Sequence, residues 1–384
     1  MASITLIFLI FLSAAMINGR CTTPRDFEES NSQLYTKEFL EQRKAAKPSL
    51  HLFLFNNGKK MGRGSFGEVR KVVGLPQNIV IKKITSDSDN TIDDIEDEIE
   101  LLRVLCGKKA IGYDSTLFNC PSTAIAEYKG CVVDGGDAYI FQEGMDIDLS
   151  KSSVKKNFKK LSLGRQAQFM VDLTSKFQEL HDRKIVHGDI KPENIMMAGD
   201  DFRRVRIVDL GCSDYEGNKK FGGSLYYLAP ERFYDYTLTI KGDIYALGVT
   251  FISMLVDFSK GLRDLPVGCF ELGTQNICVD SIQSVLIDSL SSNSKTRLLH
   301  EALKTAISPK MKDRYKSMRD FGDKIASLAK DLPGFGSNPD VKVEGALDKL
   351  LGFMCIAKKQ KKVHNQPQKI LSNSPSGGIG LLII

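Results

Sequence analysis

Several common sequence signals are missing from this chain, and two of these absences narrow the range of functions. No apolar run of about 18 residues occurs, so no ordinary membrane-spanning helix is expected. No two cysteines are spaced as Cys-x-x-Cys, which argues against a structural zinc site. No Asn-x-Ser/Thr sequon is present, and this neither supports nor excludes passage through the secretory pathway.

Positive charge is also not concentrated anywhere before the C-terminal tail. The net charge is +6 over 384 residues, with lysines and arginines scattered along the chain. A nucleic-acid-binding surface needs basic residues gathered on one face, so no nucleic-acid partner is expected. The hydrophobic content of 42% is ample for a packed core.

An apolar segment near the N-terminus, residues 4–17, is too short to span a bilayer comfortably. A cut after Gly19 would place Ile17 and Gly19 at the two recognition positions of a signal-peptide cleavage site. The three residues before the segment lack Lys and Arg, so an uncleaved anchor or a buried N-terminal segment is the alternative. We expect a signal peptide and a secreted protein, with a cytoplasmic protein as the alternative.

Eight cysteines are compatible with an oxidising compartment. Cys106 and Cys120 lie close together in the sequence, with Cys131 nearby, and so do Cys269 and Cys278. Loops of this size close at modest entropic cost. We therefore expect at least one of the pairs Cys106–Cys120 and Cys269–Cys278 to be oxidised.

The most informative stretch is IVHGDIKPENIMM, residues 185–197, which places an Asp, a Lys and an Asn within six residues between two apolar runs. The apolar ends predict short buried segments that hold a polar loop between them. A second apolar run, residues 205–208, ends at Asp209 and places another carboxylate at the tip of a strand. Two carboxylates and an amide indicate a site for a divalent metal and phosphate.

These residues resemble two signatures of eukaryotic Ser/Thr protein kinases. Residues 187–194, HGDIKPEN, resemble the catalytic loop, and residues 209–211, Asp-Leu-Gly, resemble the metal-binding triplet. Further signatures follow in the family's order between Met61 and Arg314. The resemblance implies a bilobal α+β protein-kinase fold, with a small five-stranded antiparallel N-terminal lobe containing one helix, and a mainly helical C-terminal lobe.

In the N-terminal lobe the resemblance implies a site for ATP. A glycine-rich stretch, MGRGSFGEV, follows a strand-like run and would let backbone amides approach the phosphates. Lys82 matches the phosphate-pairing lysine, whereas Lys83 points to the opposite strand face and is expected in solvent. Gln142 precedes the hinge that would bind adenine. The expected ATP contacts are Met61, Gly62, Arg63, Gly64, Ser65, Phe66, Gly67, Glu68, Val69, Val80, Lys82, Glu143 and Met145.

Three glutamates in the acidic segment 91–105 compete to be the partner of Lys82. The apolar residues of this segment recur at helical spacing, which predicts an amphipathic helix. At about 100° per residue, Glu98 lies roughly 60° from the centre of the apolar stripe, and Glu96 and Glu100 lie about 100° or more away. Glu98 is therefore the expected partner.

For the chemical step, the resemblance implies that Asp189 accepts a hydrogen bond from the substrate hydroxyl and that Lys191 steadies the γ-phosphate. Asn194 and Asp209 would hold Mg²⁺. A lysine two places after Asp189 is the pattern of Ser/Thr rather than Tyr kinases. The expected cofactors are ATP and Mg²⁺, and the expected partner is a protein substrate carrying Ser or Thr.

Four further residues match structural positions of the family. Ser224, in GSLYYLAPE, is expected to contact Asp189 and Lys191 of the catalytic loop. Glu231 at the end of the same stretch is expected to pair with a distant arginine, and Arg314 stands where the family places it. Asp243 opens an apolar helix and is expected to brace the backbone of the catalytic loop.

The chain departs from the family pattern at two places, and a cysteine follows the second of them. Gly188 stands where many kinases have the arginine that receives an activation-loop phosphate, so phosphorylation-dependent switching is not expected. Leu210 replaces the usual Phe of the triplet. Cys212 is expected to be a buried, inert thiol, with a reactive thiol near the nucleotide as the alternative.

Composition divides the chain into four regions: a signal peptide (1–19), a polar arm with a short helix at 34–44 (20–51), a kinase domain with lobes 52–143 and 144–333, and a C-terminal helix and tail (334–384). The tail contains an amphipathic run at 347–356 and then a basic cluster. A solvated flank is favoured there over a nuclear or anionic-membrane patch.

The sequence predicts a protein kinase that transfers the γ-phosphoryl group of ATP to Ser or Thr. The alternatives are a pseudokinase scaffold that binds nucleotide and a partner without turnover, and a kinase for a small molecule or sugar. Pseudokinases usually lack the equivalents of Lys82, Asp189 or Asp209, and all three are present. Small-molecule kinases of this fold generally lack the Ala-Pro-Glu segment and the Asp243 helix signature, which are also present.

Overall fold

The computed structural model describes residues 50–64, 67–73, 78–86, 92–107, 122–270, 272 and 278–336. The expected signal peptide, the helix at 34–44, the amphipathic run at 347–356 and the basic tail lie outside these residues. None of the helices formed by the described residues is long and apolar enough to cross a membrane.

Five strands form the antiparallel sheet of the N-terminal lobe, as expected, and their order is β1-β2-β3-β5-β4. The strands are β1 (Lys59–Gly64), β2 (Gly67–Lys71), β3 (Ile79–Thr85), β4 (Tyr128–Asp134) and β5 (Asp137–Glu143). The hairpin between β4 and β5 turns at Gly135 and Gly136, both of which have positive φ. Glycine adopts this conformation without the steric cost that other residues meet.

A helix, α1 (Leu50–Asn56), precedes β1 where a strand-like run was expected. Short apolar runs cannot be assigned to helix or strand by periodicity alone, and here tertiary packing decides. Phe55 of α1 packs with Ile81, Val132 and Phe141 on the outer face of the sheet. The lobe therefore has two described helices rather than one, and α1 covers sheet surface that water would otherwise contact.

The second helix of this lobe, α2 (Ile92–Leu105), follows the predicted apolar stripe. Its buried side chains include Ile95, Ile99 and Leu102, which pack with the inner face of the sheet. Because Glu98 stands next to this stripe, it is drawn inward and is only 3% exposed. The helix thus carries a carboxylate into the space between the sheet and the catalytic loop.

The C-terminal lobe is mainly helical. Its helices are α3 (Ser152–Lys160), α4 (Leu163–His181), α5 (Ile240–Leu255), α6 (Ser259–Arg263), α7 (Val279–Ser291), α8 (His300–Ala306) and α9 (Met318–Ala329). Every residue of α5 from 243 to 255 is buried, as expected for a helix that is apolar all round. Thr239 caps its N-terminus by accepting a hydrogen bond from the Gly242 N–H at 3.0 Å.

Short strands frame the loops of this lobe. They are β6 (Ile147–Asp148), β7 (Ile185–Val186), β8 (Ile195–Met197), β9 (Val205–Ile207) and β10 (Asp214–Tyr215). β8 lies between β6 and β9 in one sheet, and β7 pairs with β10 in another. The polar loop 187–194 is therefore held by β7 at one end and by β8 at the other, as its apolar flanks predicted.

One of the two local cysteine pairs is oxidised, which meets the expectation of at least one. Cys269 and Cys278 form a disulfide, with their Cα atoms 4.7 Å apart. The other pair does not form, because Cys106 keeps its thiol and accepts a hydrogen bond from the Tyr128 N–H at 3.3 Å. Cys131, on β4, is disulfide-bonded instead.

Candidate active site

Asp243, at the start of α5, holds the backbone of the loop between β7 and β8. Its carboxylate accepts hydrogen bonds from the N–H of His187 at 2.8 Å and of Gly188 at 3.0 Å, and it lies 2.9 Å from His181 Nε2. Burial alone would raise the pKa of Asp243, but the hydrogen bonds from His181 and His187 outweigh burial and lower it. A buried charge with three partners fixes the loop, which is the bracing expected of Asp243.

Sequence reasoning did not identify His181 or Ser213 as supports of this loop. Ser213 Oγ donates a hydrogen bond to the His187 carbonyl oxygen at 2.9 Å, and both side chains are buried. His181 is the last residue of α4, where a histidine is also common for local helical reasons. No local pattern distinguishes these two residues, because each meets its partner across a long stretch of chain.

Asp189, Lys191 and Ser224 form a connected group at the centre of the loop. Lys191 Nζ donates to Asp189 Oδ2 and to Ser224 Oγ, each at 2.7 Å. Burial opposes the charge on Lys191, yet the Asp189 carboxylate raises the pKa of the amine above its usual value. Lys191 thereby joins the catalytic loop to the segment that contains Ser224. Ser224 contacts Lys191 directly, and contacts Asp189 through it.

Asp189 also receives two hydrogen bonds from the Asn194 side chain. Asn194 Nδ2 donates to the Asp189 carbonyl oxygen at 2.9 Å and to Oδ2 at 3.1 Å. The other carboxylate oxygen, Oδ1, is buried and has no hydrogen-bond partner among the described residues. A buried carboxylate oxygen without a donor is costly, so it marks a position at which a hydroxyl donor would be bound favourably.

Lys82, Glu98 and Asp209 meet between the two lobes. Lys82 Nζ lies 2.7 Å from Glu98 Oε1 and 2.7 Å from Asp209 Oδ1, and neither Glu96 nor Glu100 takes this place. Burial disfavours the charge of Lys82, but the carboxylates of Asp209 and Glu98 outweigh it and raise the pKa of the amine. The pKa of Asp209 is lowered by Lys82 although burial acts in the opposite direction. The ammonium is therefore charged and joins α2 to the end of β9.

The local backbone aims Asp209 at this site. Asp209 has φ of +65°, in the left-handed region that costs an L-residue roughly 1–2 kcal/mol. Asn194 lies beside it because the Val208 N–H donates to the Asn194 carbonyl oxygen at 3.0 Å. The amide hydrogens of Asn194 bond to Asp189, so its side-chain oxygen remains available as a ligand for a cation. One amide oxygen and one carboxylate fit Mg²⁺, which usually keeps water and phosphate oxygens as its other ligands.

The sheet supplies one side of the expected nucleotide site. Val69 lies opposite Lys82 across the β2–β3 pair, and Val80 lies opposite Gln142 across the β3–β5 pair, so these side chains share the face that carries Lys82. Gly67 has φ of +122°, and a Cβ atom there would lie 2.1 Å from the Lys83 carbonyl oxygen. A glycine is therefore required at this position of the loop.

The remaining expected nucleotide contacts are only partly described. Met61 stands in the β1 bulge and is 41% exposed. Of the hinge residues, Glu143 is the last residue of β5 and Met145 follows two residues later. Ser65 and Phe66 lie outside the described residues. Lys83 does point to the opposite face, but it is not simply solvated, because its Nζ lies 2.7 Å from Asp137 Oδ2.

The backbone at position 188 requires a glycine, so Gly188 is more than a position at which arginine is absent. Its φ is +75°, and a Cβ atom would lie 2.4 Å from the Cys212 carbonyl oxygen. A side chain of any kind would clash with this backbone and strain the loop. Cys212 is buried, which raises the pKa of its thiol to about 12. The thiol stays protonated at neutral pH, so the geometry favours the expected inert thiol over the reactive one.

A buried ion pair closes the segment that follows Ser224. Arg314 Nη1 and Nη2 each donate to a carboxylate oxygen of Glu231 at 2.7 Å, in the paired geometry that makes such contacts strong. Arg314 also donates to the carbonyl oxygens of Ser308 and Pro309. The segment is thereby tied to the chain ahead of α9.

Comparison with known proteins agrees with this arrangement. The family model described as "Protein kinase domain" matches residues 55–260, more than half of the chain. This chain therefore belongs to the protein kinase family, and the predicted bilobal α+β fold is confirmed. Arg314 lies beyond the matched residues, although its partner Glu231 lies within them.

Among the relatives, a mitogen-activated protein kinase kinase of Aspergillus fumigatus is 35% identical over 153 residues, 35% of this chain and 28% of the relative. A serine/threonine-protein kinase of Schizosaccharomyces pombe is 29% identical over 204 residues, 51% of this chain and 40% of the relative. A MAP kinase kinase of the same yeast is 25% identical over 244 residues, 60% of this chain and 62% of the relative. In each case less than two thirds of the relative is covered.

Proposed function

We propose that this protein is a Ser/Thr protein kinase that transfers the γ-phosphoryl group of ATP to a protein hydroxyl. The observation that carries the proposal is the unpartnered, buried Oδ1 of Asp189 beside the ammonium of Lys191. A hydroxyl that donates to this oxygen is oriented by it, and Lys191 supplies positive charge within reach of the group in transfer. The names of the relatives support the same reaction class.

In this proposal, the residues mainly position groups and neutralise charge, as phosphoryl transfer requires. When bound, Mg²⁺ and ATP supply the phosphoryl group and the metal charge that offsets negative charge on it. Lys82, held by Glu98, binds the phosphates, and Asp209 and Asn194 supply oxygen ligands to the metal. Asp189 accepts the hydrogen of the substrate hydroxyl, whose oxygen forms the new bond to phosphorus while ADP leaves.

The purified protein should be incubated with γ-labelled ATP, Mg²⁺ and generic protein substrates, and the labelled amino acids identified. The proposal expects label on serine or threonine and none without the divalent metal. Measurable nucleotide binding with no transfer would favour the pseudokinase alternative instead. Label on a small molecule or sugar but on no protein would favour the third alternative.

We also propose that the protein enters the secretory pathway. The apolar segment 4–17 and the Cys269–Cys278 disulfide support this, because disulfides persist mainly in oxidising compartments. N-terminal sequencing of protein from the native source should give a mature chain beginning near Arg20. A chain that begins at Met1 or Ala2 and fractionates with cytosol would refute secretion without affecting the proposed reaction.

A further inference from the structure

Two adjacent lysines between the Asp-Leu-Gly triplet and Ser224 face opposite ways. The backbone is extended there, because Lys219 forms an antiparallel bridge with Thr237 and the Lys220 N–H donates to the Tyr236 carbonyl oxygen at 3.1 Å. Side chains alternate across such a backbone. The Lys219 side chain is 74% exposed, whereas that of Lys220 is 10% exposed.

The ammonium of Lys220 is buried and makes no hydrogen bond to any described residue. It forms an ion pair with Asp94 on α2, with Nζ and Oδ1 3.9 Å apart. That distance exceeds a hydrogen bond but allows Coulomb attraction, which water weakens in part because the Asp94 side chain is 43% exposed. A buried ammonium needs such compensation, since burying an unpaired charge is costly.

Lys220 also acts on the carboxylate that holds Lys82. Asp94 and Glu98 are four residues apart on α2, so they are neighbours on one helix face. Burial raises the pKa of Glu98, while the nearby ammonium groups of Lys82 and Lys220 act in the opposite direction. One lysine from the sheet and one from the segment before Ser224 thus attract the same face of α2.

We propose that Lys220 is a positioning residue that holds α2 inward and so keeps Glu98 on Lys82. This inference rests on the proposed function, because the Lys82–Glu98 pair matters only if phosphates bind there. The role of Lys220 would also explain the expected activity without phosphorylation. Gly188 offers no charge to a phosphate on this segment, and Lys220 already joins the segment to α2 through an unmodified side chain.

The test compares Lys220→Met, which removes the charge and keeps most of the volume, with Lys219→Met on the neighbouring residue. We expect Lys220→Met to lower kcat/KM for ATP by about tenfold or more, and Lys219→Met to change it by less than about twofold. Lys220→Arg should keep activity within about threefold, because it keeps the charge. Equal losses in Lys220→Met and Lys219→Met would contradict a specific role for Lys220.

Hydrogen exchange of the α2 amides provides a readout that does not require turnover. We expect exchange in residues 92–105 to accelerate by about tenfold in Lys220→Met and Asp94→Asn, with no change in Lys219→Met. The double variant should be little worse than Lys220→Met, because both substitutions remove one interaction. Unchanged exchange in α2 would overturn the proposal, even if activity were lost. If exchange is faster in Lys220→Met but the wild-type protein shows no phosphotransfer, the positioning role of Lys220 is supported and the proposed function is refuted.

Discussion

The nucleotide side and the hydroxyl side of this site differ in how their charges are satisfied. On the nucleotide side, Lys82 Nζ lies 2.7 Å from both Glu98 and Asp209, so one ammonium group is shared by two carboxylates across the two lobes. On the hydroxyl side, Lys191 and Asn194 satisfy only one oxygen of Asp189, and the other is buried without a partner. In the proposed reaction, nucleotide must therefore compete with an existing ion pair, whereas the substrate hydroxyl fills an open acceptor position.

The largest effect on turnover is expected from replacing Asp189, whose Oδ1 is the open acceptor position. Asp189→Asn should lower kcat by about 10³-fold, because the amide cannot accept the proton that the carboxylate accepts. Steady-state phosphotransfer at saturating ATP measures the loss. Asp201→Asn, at an exposed turn of the same lobe, provides the control. Wild-type turnover in Asp189→Asn would contradict the role given to Asp189 on the hydroxyl side.

Asp209→Asn should have the next largest effect and a different signature. It removes one carboxylate from the pair around Lys82 and one oxygen charge from the expected metal position. We expect Mg·ATP affinity and turnover to fall together, by about 10²-fold in kcat/KM. Titration with Mg·ATP followed by kinetics separates the two quantities. Unaltered affinity would show that Asp209 does not hold the metal.

Asp243→Asn should act on stability rather than on one side of the site. The substitution removes a buried carboxylate with three partners, and should lower the free energy of unfolding by about 3 kcal/mol. The pKa of Asp243 is lowered in the folded protein. Its contribution is thus complete above about pH 4 to 5 and is lost as pH falls further through the folded pKa.

Urea unfolding at several pH values tests this. The difference between the two proteins should stay constant from about pH 5 to 8 and shrink only in more acidic solution. Asp235→Asn, at an exposed carboxylate that bonds Thr237, should change stability little. A difference that grows as pH falls would contradict the sign of the pKa shift.

The smallest effect is expected from dephosphorylation. Gly188 provides no cation to a phosphate, and the Cys212 carbonyl oxygen, 2.4 Å from where a Cβ atom would lie, leaves no room for a side chain that could. Phosphatase-treated protein should therefore keep its activity within about threefold. A loss of more than about tenfold would show that phosphorylation between Ser213 and Ser224 is required.

Sequence reasoning placed the elements around the site well, because motif order and helical periodicity act over short distances. Glu98 follows from the geometry of one helix, and the loop 187–194 from its apolar flanks. Reasoning failed where distant contacts decide, as with the run that forms α1 because it packs on the sheet. Lys220 and Lys219 are identical in type and adjacent in sequence, so only the backbone pairing of their strand distinguishes the buried lysine from the exposed one.

The affinity of Asp189→Asn for Mg·ATP tests the division of the site most directly. Asp189 makes no contact with Lys82 or with the two carboxylates around it. The account therefore predicts that Asp189→Asn binds Mg·ATP with a dissociation constant within about twofold of the wild-type value but loses turnover. Asp209→Asn and the double variant should share one weaker affinity. If Asp189→Asn instead weakens Mg·ATP binding as much as Asp209→Asn does, the two sides are not separate and the account is wrong.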